Sequence, residues 1–297
     1  MMKKVLLTLA MVMLVVSPVL AFDLGGYTGD LVFKYGDFST GTIYSFDGAN
    51  WHPAGHPEIS IPNATYGQAA LYPAEDAWGI ARITSIESAD GSSQLWSELS
   101  ANEQLTVMYY GVNDDYVNVY GNGFEVQSLG GHMDVWLQDK AGLGYTAYSG
   151  VGGPAARTGA ASYPAVTDGT LFLSTEFTSG ILFGDGILAN DNITYRSLFD
   201  PTLTGFTPQA LGNFYLNVTG GAYASMFDSN SFLLTDDSGA TKTADLEANF
   251  RGNTPGSFGW LVNSQDPVGG KVIPEPASMI LMGIGLAGAA RLRRRTA

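Results

Sequence analysis

Hydrophobic and polar residues alternate with a period of two along much of the chain, which predicts short β-strands. In "FEVQSLG", Phe124 and Val126 lie on one face of such a strand, while Glu125 and Gln127 lie on the other. The stretches "GHMDVWLQD" and "NFYLNVTG" alternate in the same way. In "EQLTVMYYGV", residues 105–110 are apolar on both faces, which predicts a central strand.

Glycine turns separate these stretches from further predicted strands. Asp-Gly at Asp47, Asp90 and Asp168 and Asn-Gly at Asn122 are strong turn signals. Helical periodicity is nearly absent, and only "SSQLWSELSANE" favours a turn or two of helix. The pattern therefore predicts an all-β secreted domain that is β-sandwich-like, of the jelly-roll type. The further strands are predicted at "LVFKYG", "GTIYSF", "GIARITSI", "YVNVYG", "TLFLSTEF", "SFLLTDD" and "FGWLVNS".

The strand pattern covers residues 22–264, which we predict to form this body. Residues 149–166 interrupt the pattern with a run rich in glycine and alanine. Long loops inside one domain are uncommon, so a division into two lobes near this run stays open beside a single domain. Residues 265–273 are predicted to be a flexible tether.

Residues 1–21 have the pattern of a secretory signal peptide and are expected to form a signal helix. Lys3 and Lys4 precede an apolar run, and Ala21 is the last residue before the expected cut by signal peptidase. The run is shorter than the roughly 20 residues that a membrane span needs, although an N-terminal membrane helix is the alternative.

The charge of the body limits its partners. The chain has 14 basic and 28 acidic residues. Two lysines lie in the signal, and four arginines with Glu275 lie in the tail, which leaves 8 basic and 27 acidic residues in residues 22–273, a net charge of −19. Such a surface repels nucleic acid and anionic lipid, so no nucleic-acid partner is expected. The chain has no cysteine, which excludes thiol catalysis, thiolate metal sites and disulfides.

The C-terminal segment predicts a short membrane-spanning helix. Residues 277–290 are apolar except for Ser278. A helix of this length covers about 21 Å, somewhat less than a hydrocarbon core of about 30 Å. Basic residues after the span are expected to stay in the cytoplasm by the positive-inside rule. This predicted membrane stop consists of Arg291, Arg293, Arg294 and Arg295.

Pro274, Glu275 and Pro276 precede this span. The order of motif, marginal span and basic end resembles the PEP-CTERM sorting signal over residues 274–297, although Ile273 stands where valine is common. The resemblance implies export by a Gram-negative bacterium that makes exopolysaccharide, with a transient anchor in the inner membrane. It also implies that an exosortase, a membrane-embedded enzyme similar to cysteine transpeptidases, cuts near the motif and sends the body to the cell surface or extracellular matrix.

Metal sites in the body have only weak signals. Three loops rich in Asp and Asn could supply the oxygen ligands that calcium takes, but none has EF-hand spacing, and these residues also serve as turn residues. We therefore expect no cofactor, with calcium as the open alternative. In "HPAGHPE", His52, His56 and Glu58, with His132, are alternative metal ligands, although prolines in this stretch favour a surface loop. The calcium candidates are Asp114, Asp115, Asp185, Asp191, Asp236 and Asp237.

Two classes of enzyme motif are absent from the sequence. Neither a Gly-x-Ser-x-Gly nucleophile elbow nor a phosphate-binding loop occurs. The interpretation is a non-enzymatic surface or matrix protein associated with exopolysaccharide and biofilm. A carbohydrate-binding module is the first alternative, and a secreted glycan hydrolase with paired carboxylates is the second. The tryptophans could stack on sugars or fill the core: Trp51, Trp78, Trp96, Trp136 and Trp260.

Overall fold

The structure is a computed structural model. The signal segment and residues 275–297, with Glu275, Pro276 and the arginines, lie outside its described residues, so the signal helix, the cut after Ala21 and the C-terminal span stay predictions. Within the described part of the chain, no helix has the length and apolar character to cross a membrane. The structure describes residues 22–41, 44–46, 51–53, 64–65, 75–120, 123–140, 152–179, 192–199, 210–235, 239–253, 260, 262–264 and 267–274.

Strands make up most of the described structure, as the period-two pattern predicts. The helical elements include a 3₁₀ turn (Pro154–Ala156) and the one-turn helix α1 (Ala224–Phe227). The strands are β1 (Gly29–Gly41), β2 (Tyr44–Phe46), β3 (Trp51–Pro53), β4 (Ala64–Thr65), β5 (Ala77–Ser88), β6 (Gln94–Ser97), β7 (Glu103–Tyr120), β8 (Gly123–Asp139), β9 (Thr170–Phe177), β10 (Tyr195–Phe199), β11 (Ala210–Gly220), β12 (Phe232–Thr235), β13 (Thr241–Ala244), β14 (Leu246–Asn253), β15 (Val262–Ser264) and β16 (Val268–Val272).

Two long strands each join two predicted strands. "FEVQSLG" and "GHMDVWLQD" form the single strand β8, and "EQLTVMYYGV" and "YVNVYG" form β7. Gly130 (φ 67°) and Gly131 (φ 104°) lie where the two halves of β8 meet. Glycine adopts this left-handed conformation without steric conflict, so the strand bends there while pairing continues on both sides.

The main sheet contains 12 strands and closes on itself. Around the ring, the antiparallel neighbours are β1, β5, β7, β8, β9, β11, β14 and β16, and β16 pairs again with β1. β9 and β10 lie end to end between β8 and β11, and β16 and β15 lie end to end between β14 and β1. The all-β prediction is confirmed, but the β-sandwich-like, jelly-roll-type arrangement is wrong. Alternation identifies a buried face, and a single closed sheet buries that face as well as two stacked sheets do.

The closed sheet has two distinct ends. At one end, which we call the terminal pole, Gly29 of β1 pairs with Val272 of β16. At the other, the distal pole, Ser39 of β1 pairs with Val262 of β15. The interior between the poles is filled by buried apolar side chains, so its stability rests on packing. These include Phe33, Ile83, Leu105, Val107, Val135, Leu137, Leu173, Leu216, Leu246 and Val268.

Residues 152–168, which we call the strap, pack on the outer face of the sheet. Buried Tyr163 and Val166 of the strap join Trp78, Met108 and Trp260 in a second apolar cluster. Strap carbonyls also accept side-chain hydrogen bonds from the sheet, including one of 2.5 Å from Thr106 Oγ1 to the Val166 carbonyl. Strands before and after the strap belong to the same closed sheet.

Two local predictions are wrong. "SSQLWSELSANE" contains no helix in its described structure, because residues 94–97 form β6 and pair with β5. Residues 268–272 of the predicted tether form β16, with Val268 and Val272 buried. Gly270 of this segment has a packing role, since an added Cβ would lie 2.5 Å from Leu246 Cδ2.

Gly221 provides a test of how tightly the chain packs after β11. Its φ is +107°, and an added Cβ would lie 2.4 Å from the Phe172 carbonyl oxygen. Gly221→Ala should therefore lower the free energy of unfolding by at least about 2 kcal/mol, measured by urea denaturation. Gly91 (φ +70°) has no atom within 4 Å of its added Cβ. The control Gly91→Ala should lose only about 1 kcal/mol, and equal losses in both variants would contradict the packing argument.

Candidate functional site

The predicted sorting motif begins directly at the folded body. β16 ends at Val272, and the next residue, Ile273, donates its backbone N–H to the Met226 carbonyl oxygen of α1 at 2.9 Å. Pro274 follows and is exposed. The sheet therefore holds the chain up to the residue before the motif, with almost no free spacer between them.

The residue after the expected signal-peptidase site is docked at the same pole. Phe22 is 8% exposed, and its backbone N–H donates to the Tyr223 hydroxyl at 3.0 Å. Its ring centroid lies 4.8 Å from that of Phe172 in an edge-to-face contact and 6.1 Å from that of Trp96. These rings close the terminal pole, so Phe22 acts as an aromatic plug.

Both ends of the body converge on the α1 turn. Phe22 contacts Tyr223, the residue before α1, while Ile273 bonds to Met226 within it. Gly29 and Val272 are register partners in the sheet. Any membrane attachment at either end therefore lies on the side of the terminal pole, and the distal pole points away from it.

An interior cavity of about 30 Å³ lies nearer the distal pole. Its wall is mixed, because inward-facing polar residues interrupt the apolar interior there. Asp37 is 8% exposed, and a side-chain hydrogen bond joins Ser39 to Tyr109. A cavity of this volume has room for about one ordered water. The residues that line it are Tyr35, Asp37, Ser39, Ala81, Val107, Tyr109, Met133, Phe177, Tyr195 and Phe214.

The cavity tyrosines are held in their neutral form. Burial raises the pKa of Tyr109 well above its usual value, and the charge of Asp37 raises it further. Burial also raises the pKa of Tyr195, with smaller contributions from Tyr109 and Asp37. A phenol with a raised pKa donates hydrogen bonds but is a poor base or nucleophile near neutral pH. The cavity wall therefore favours water or a small polar group over covalent chemistry.

The strap contributes a buried ion pair that the sequence analysis missed. Arg157 donates to both carboxylate oxygens of Glu75, and the two side chains are each 3% exposed. The Glu75 carboxylate also accepts the Gly111 N–H at 2.7 Å, and the guanidinium lies 4.3 Å from the Trp78 ring centroid. A bidentate, desolvated pair of this kind fixes the strap against β5 and β7. The sequence contained one signal for this ion pair: Arg157 stands in an apolar run, in a body that has only 8 basic residues.

Of the predicted calcium ligands, the structure places only Asp114. Its carboxylate accepts a hydrogen bond from Ser128 Oγ at 2.9 Å, and its backbone N–H donates to Asp76 Oδ2 at 3.0 Å. Among the described residues, no group of three His, Asp or Glu side chains is placed to hold a metal ion. Calcium binding stays a prediction. The remaining candidates lie outside the described side chains: Asp115, Asp185, Asp191, Asp236 and Asp237.

The alternative metal and sugar residues are partly placed. His132 lies on β8, and its ring stacks on that of Tyr110 with 5.3 Å between the ring centroids. The other ligands suggested in "HPAGHPE" lie outside the described side chains. Trp78, Trp96 and Trp260 are buried in the two apolar clusters, so they are core residues rather than exposed sugar platforms.

Removing the Tyr109 hydroxyl should change the alkaline stability of the protein. The folded-state pKa exceeds the unfolded value of about 10, so the unfolded chain loses this proton first and the free energy of unfolding falls as pH rises above about 10. Tyr109→Phe should reduce that slope by up to about 1.4 kcal/mol per pH unit in urea titrations at a series of pH values. Phe177→Leu alters the same wall without removing an ionisable group, and its slope should match wild type. An unchanged slope in Tyr109→Phe would contradict the assignment.

Removing the aromatic plug should destabilise the mature protein. Phe22→Ala deletes a buried ring and should lower the free energy of unfolding by about 3 kcal/mol, measured by thermal and urea denaturation. The control Asp23→Ala changes the exposed neighbour, whose carboxylate accepts the nearby Gly25 N–H, and should lose less than about 1 kcal/mol. Wild-type stability in Phe22→Ala would show that the N-terminus does not close the pole.

The comparisons with known proteins agree with this geometry at the C-terminus. Residues 272–295 match the family model described as the PEP-CTERM protein-sorting motif, which confirms the resemblance. No curated protein and no solved structure matches the chain. The match begins at Val272, the last residue of β16, so the motif and the closed sheet share a boundary. The chain therefore carries a PEP-CTERM sorting signal, which implies an exported protein that an exosortase sorts through a membrane-anchored intermediate.

Proposed function

We propose that the body is a non-enzymatic protein of the cell surface or extracellular matrix, associated with the exopolysaccharide of a biofilm in a Gram-negative bacterium. The observation that carries the proposal is the position of the sorting motif directly after β16. A cut at this motif releases a complete closed sheet, because no strand of the sheet lies beyond Val272 among the described residues. The released body then needs no part of its tail for stability.

The arrangement of the ends supports a membrane-anchored stage before release. Phe22 and Ile273 are both docked at the terminal pole. The sheet can therefore close while the signal and the tail are both at the inner membrane, since neither end has to cross the body. The exosortase would then meet a folded substrate, with the distal pole directed away from the membrane.

Two buried acids of the body, Asp245 and Asp134, are held by hydrogen bonds that support a structural role. Asp245 accepts three backbone N–H bonds, from Val218, Ser229 and Asn230, at 2.6–2.8 Å. Asp134 accepts bonds from the hydroxyls of Tyr110 and Ser174 at 3.0 and 2.7 Å. Carboxylates held by such bonds fix loops and strand ends. This favours a binding or matrix role over the hydrolase alternative.

The buried tryptophans do not support the carbohydrate-binding alternative. Buried Trp78, Trp96 and Trp260 do not supply a stacking surface. A groove on the outer face of the sheet is instead lined by polar residues that include Asn213 and Asn249. The hydrolase alternative is tested by polysaccharide turnover, which should be absent.

The sorting signal can be tested by the mass of the exported protein. In cells with an exosortase, the intact mass should correspond to a body that ends near the Pro274–Glu275–Pro276 motif. Replacing these three residues by alanine should leave the tail attached, as should deletion of the exosortase gene. The control Pro267→Ala changes an exposed proline just before β16 and should be processed normally. A tail retained in every strain would contradict the proposal and favour a permanent anchor.

A further inference from the structure

We propose that the folded terminal pole controls when the exosortase can cut. The enzyme reaches the Pro274–Glu275–Pro276 motif only after the last two docked residues, Val272 and Ile273, have separated from the body. These two residues are called the docked end below. The inference concerns the sorting step that the PEP-CTERM signal implies, and it does not depend on the matrix role proposed above.

Both side-chain and backbone contacts hold the docked end. Val272 is 3% exposed and pairs with Gly29 of β1. The backbone N–H of Ile273 donates to the Met226 carbonyl oxygen at 2.9 Å. Pro274 is exposed and has no backbone N–H, so it cannot extend this bonding. The fixed part of the chain therefore ends at the residue directly before the motif.

The distance between the body and the membrane is short in the anchored precursor. Three residues separate Ile273 from Ala277, where the predicted span begins. A fully extended chain covers about 14 Å over the steps between them. An enzyme that cuts in this interval must therefore fit its active site between the terminal pole and the membrane.

The docked end also occupies backbone groups that an enzyme needs. An extended peptide is bound largely through main-chain hydrogen bonds along its length. On the N-terminal side of the motif, the Ile273 N–H is used by Met226, and Val272 is paired with β1. These groups become available to another protein only when the docked end leaves the body. Binding by the exosortase and docking on the body are thus alternatives.

The α1 turn that accepts the Ile273 bond is itself fixed. Phe227 of α1 is fully buried, and its ring centroid lies 5.7 Å from that of Phe33 and 5.8 Å from that of Phe172. The Asp245 carboxylate accepts two backbone N–H groups shortly after α1, at 2.7 and 2.6 Å. Because α1 is held in this way, separation occurs at the docked end and not by movement of the whole turn.

The pairing of β16 lets the docked end open without breaking the ring. β16 pairs with β1 from Val268 to Val272, whereas its pairing with β14 covers Val268–Gly270. In the described structure, residues 271–272 are therefore paired on one side, and such strand ends open more easily than strands paired on both sides. The ring stays closed through Val268–Gly270 while the docked end is open. The cutting rate then follows the fraction of chains in the open state.

A spacer between the docked end and the motif provides the direct test. The segment Gly-Ser-Gly-Ser-Gly-Ile, inserted between Ile273 and Pro274, moves the motif away from the pole and keeps isoleucine before it. Pulse-labelled full-length protein is followed in cells with an exosortase, and conversion of the precursor to the mature mass gives the cutting rate. We expect the spacer to raise this rate about tenfold, because cutting no longer requires the release of a hydrogen bond and a buried side chain.

The same insert at a remote turn is the control. Gly239 lies in the exposed turn between β12 and β13, with φ +83° and no atom within 4 Å of an added Cβ. The insert after Gly239 should leave the cutting rate at the wild-type value. An unchanged rate with the spacer at Ile273, or equal acceleration by both inserts, would overturn the proposal. A slower rate with the spacer would also overturn it, since the enzyme would then use the pole as a docking surface.

A matched pair of substitutions separates the α1 turn from general stability. Phe227→Leu loosens α1 and should raise the cutting rate about threefold, since it weakens the bond to Ile273. Phe38→Leu makes the same change at the distal pole, where Phe38 is 4% exposed, and should leave the rate unchanged. Thermal unfolding of both purified mature proteins measures the stability that each has lost. Equal acceleration by both substitutions would assign the effect to unfolding of the body and contradict the role of the docked end.

The outcomes in cells keep this inference apart from the proposed function. A wild-type protein that is cut, at a rate that responds to the spacer, supports the inference wherever the mature body is found. A mature body missing from the matrix would overturn the proposed function alone. A wild-type protein that is never cut would overturn the inference together with the expected exosortase processing.

Discussion

The pairing of β1 with β16 is the constraint on which the rest of the structure depends. It joins the first and last strands of the body, from Gly29–Val272 to Phe33–Val268, and so closes the ring. A closed sheet has no free edge through which it could aggregate. Because β16 completes the ring two residues before Pro274, the sorting signal cannot be separated from the fold by a tether. The closure also places the beginning and the end of the body at one pole, which decides how it sits at a membrane.

Several clusters of buried polar groups are satisfied by partners within the body. Glu75 and Arg157 fix the strap, and the Asp245 carboxylate accepts N–H groups from β11 and from the residues after α1. The cavity near Asp37 and Tyr109 interrupts an otherwise apolar interior. Because a buried polar group without a partner is costly, these clusters specify one arrangement of strap, turn and strands. They give the body a rigid form without cysteine, as an exported protein without disulfides needs.

The two ends of the closed sheet differ in what they hold. The terminal pole holds Phe22 and Ile273, and the sorting signal follows directly after it. A groove lined by residues that include Asn213 and Arg251 lies in the distal half, on the outer face of the sheet. The sorting signal and this groove thus lie toward opposite ends of the sheet.

The sequence by itself determined the sorting signal and the β-rich character of the body. Both are local: the Pro-Glu-Pro motif with its span is contiguous, and alternation in stretches such as "TLFLSTEF", which is β9 in full, depends only on the period of a strand. Only the tertiary structure decided that the sheet closes and that Val268 and Val272 belong to it. It also brought Asn213 beside Asn249, and Arg157 beside Glu75. Each of these depends on pairing between residues far apart in the chain, which alternation cannot encode because it gives a strand its two faces but not its neighbours.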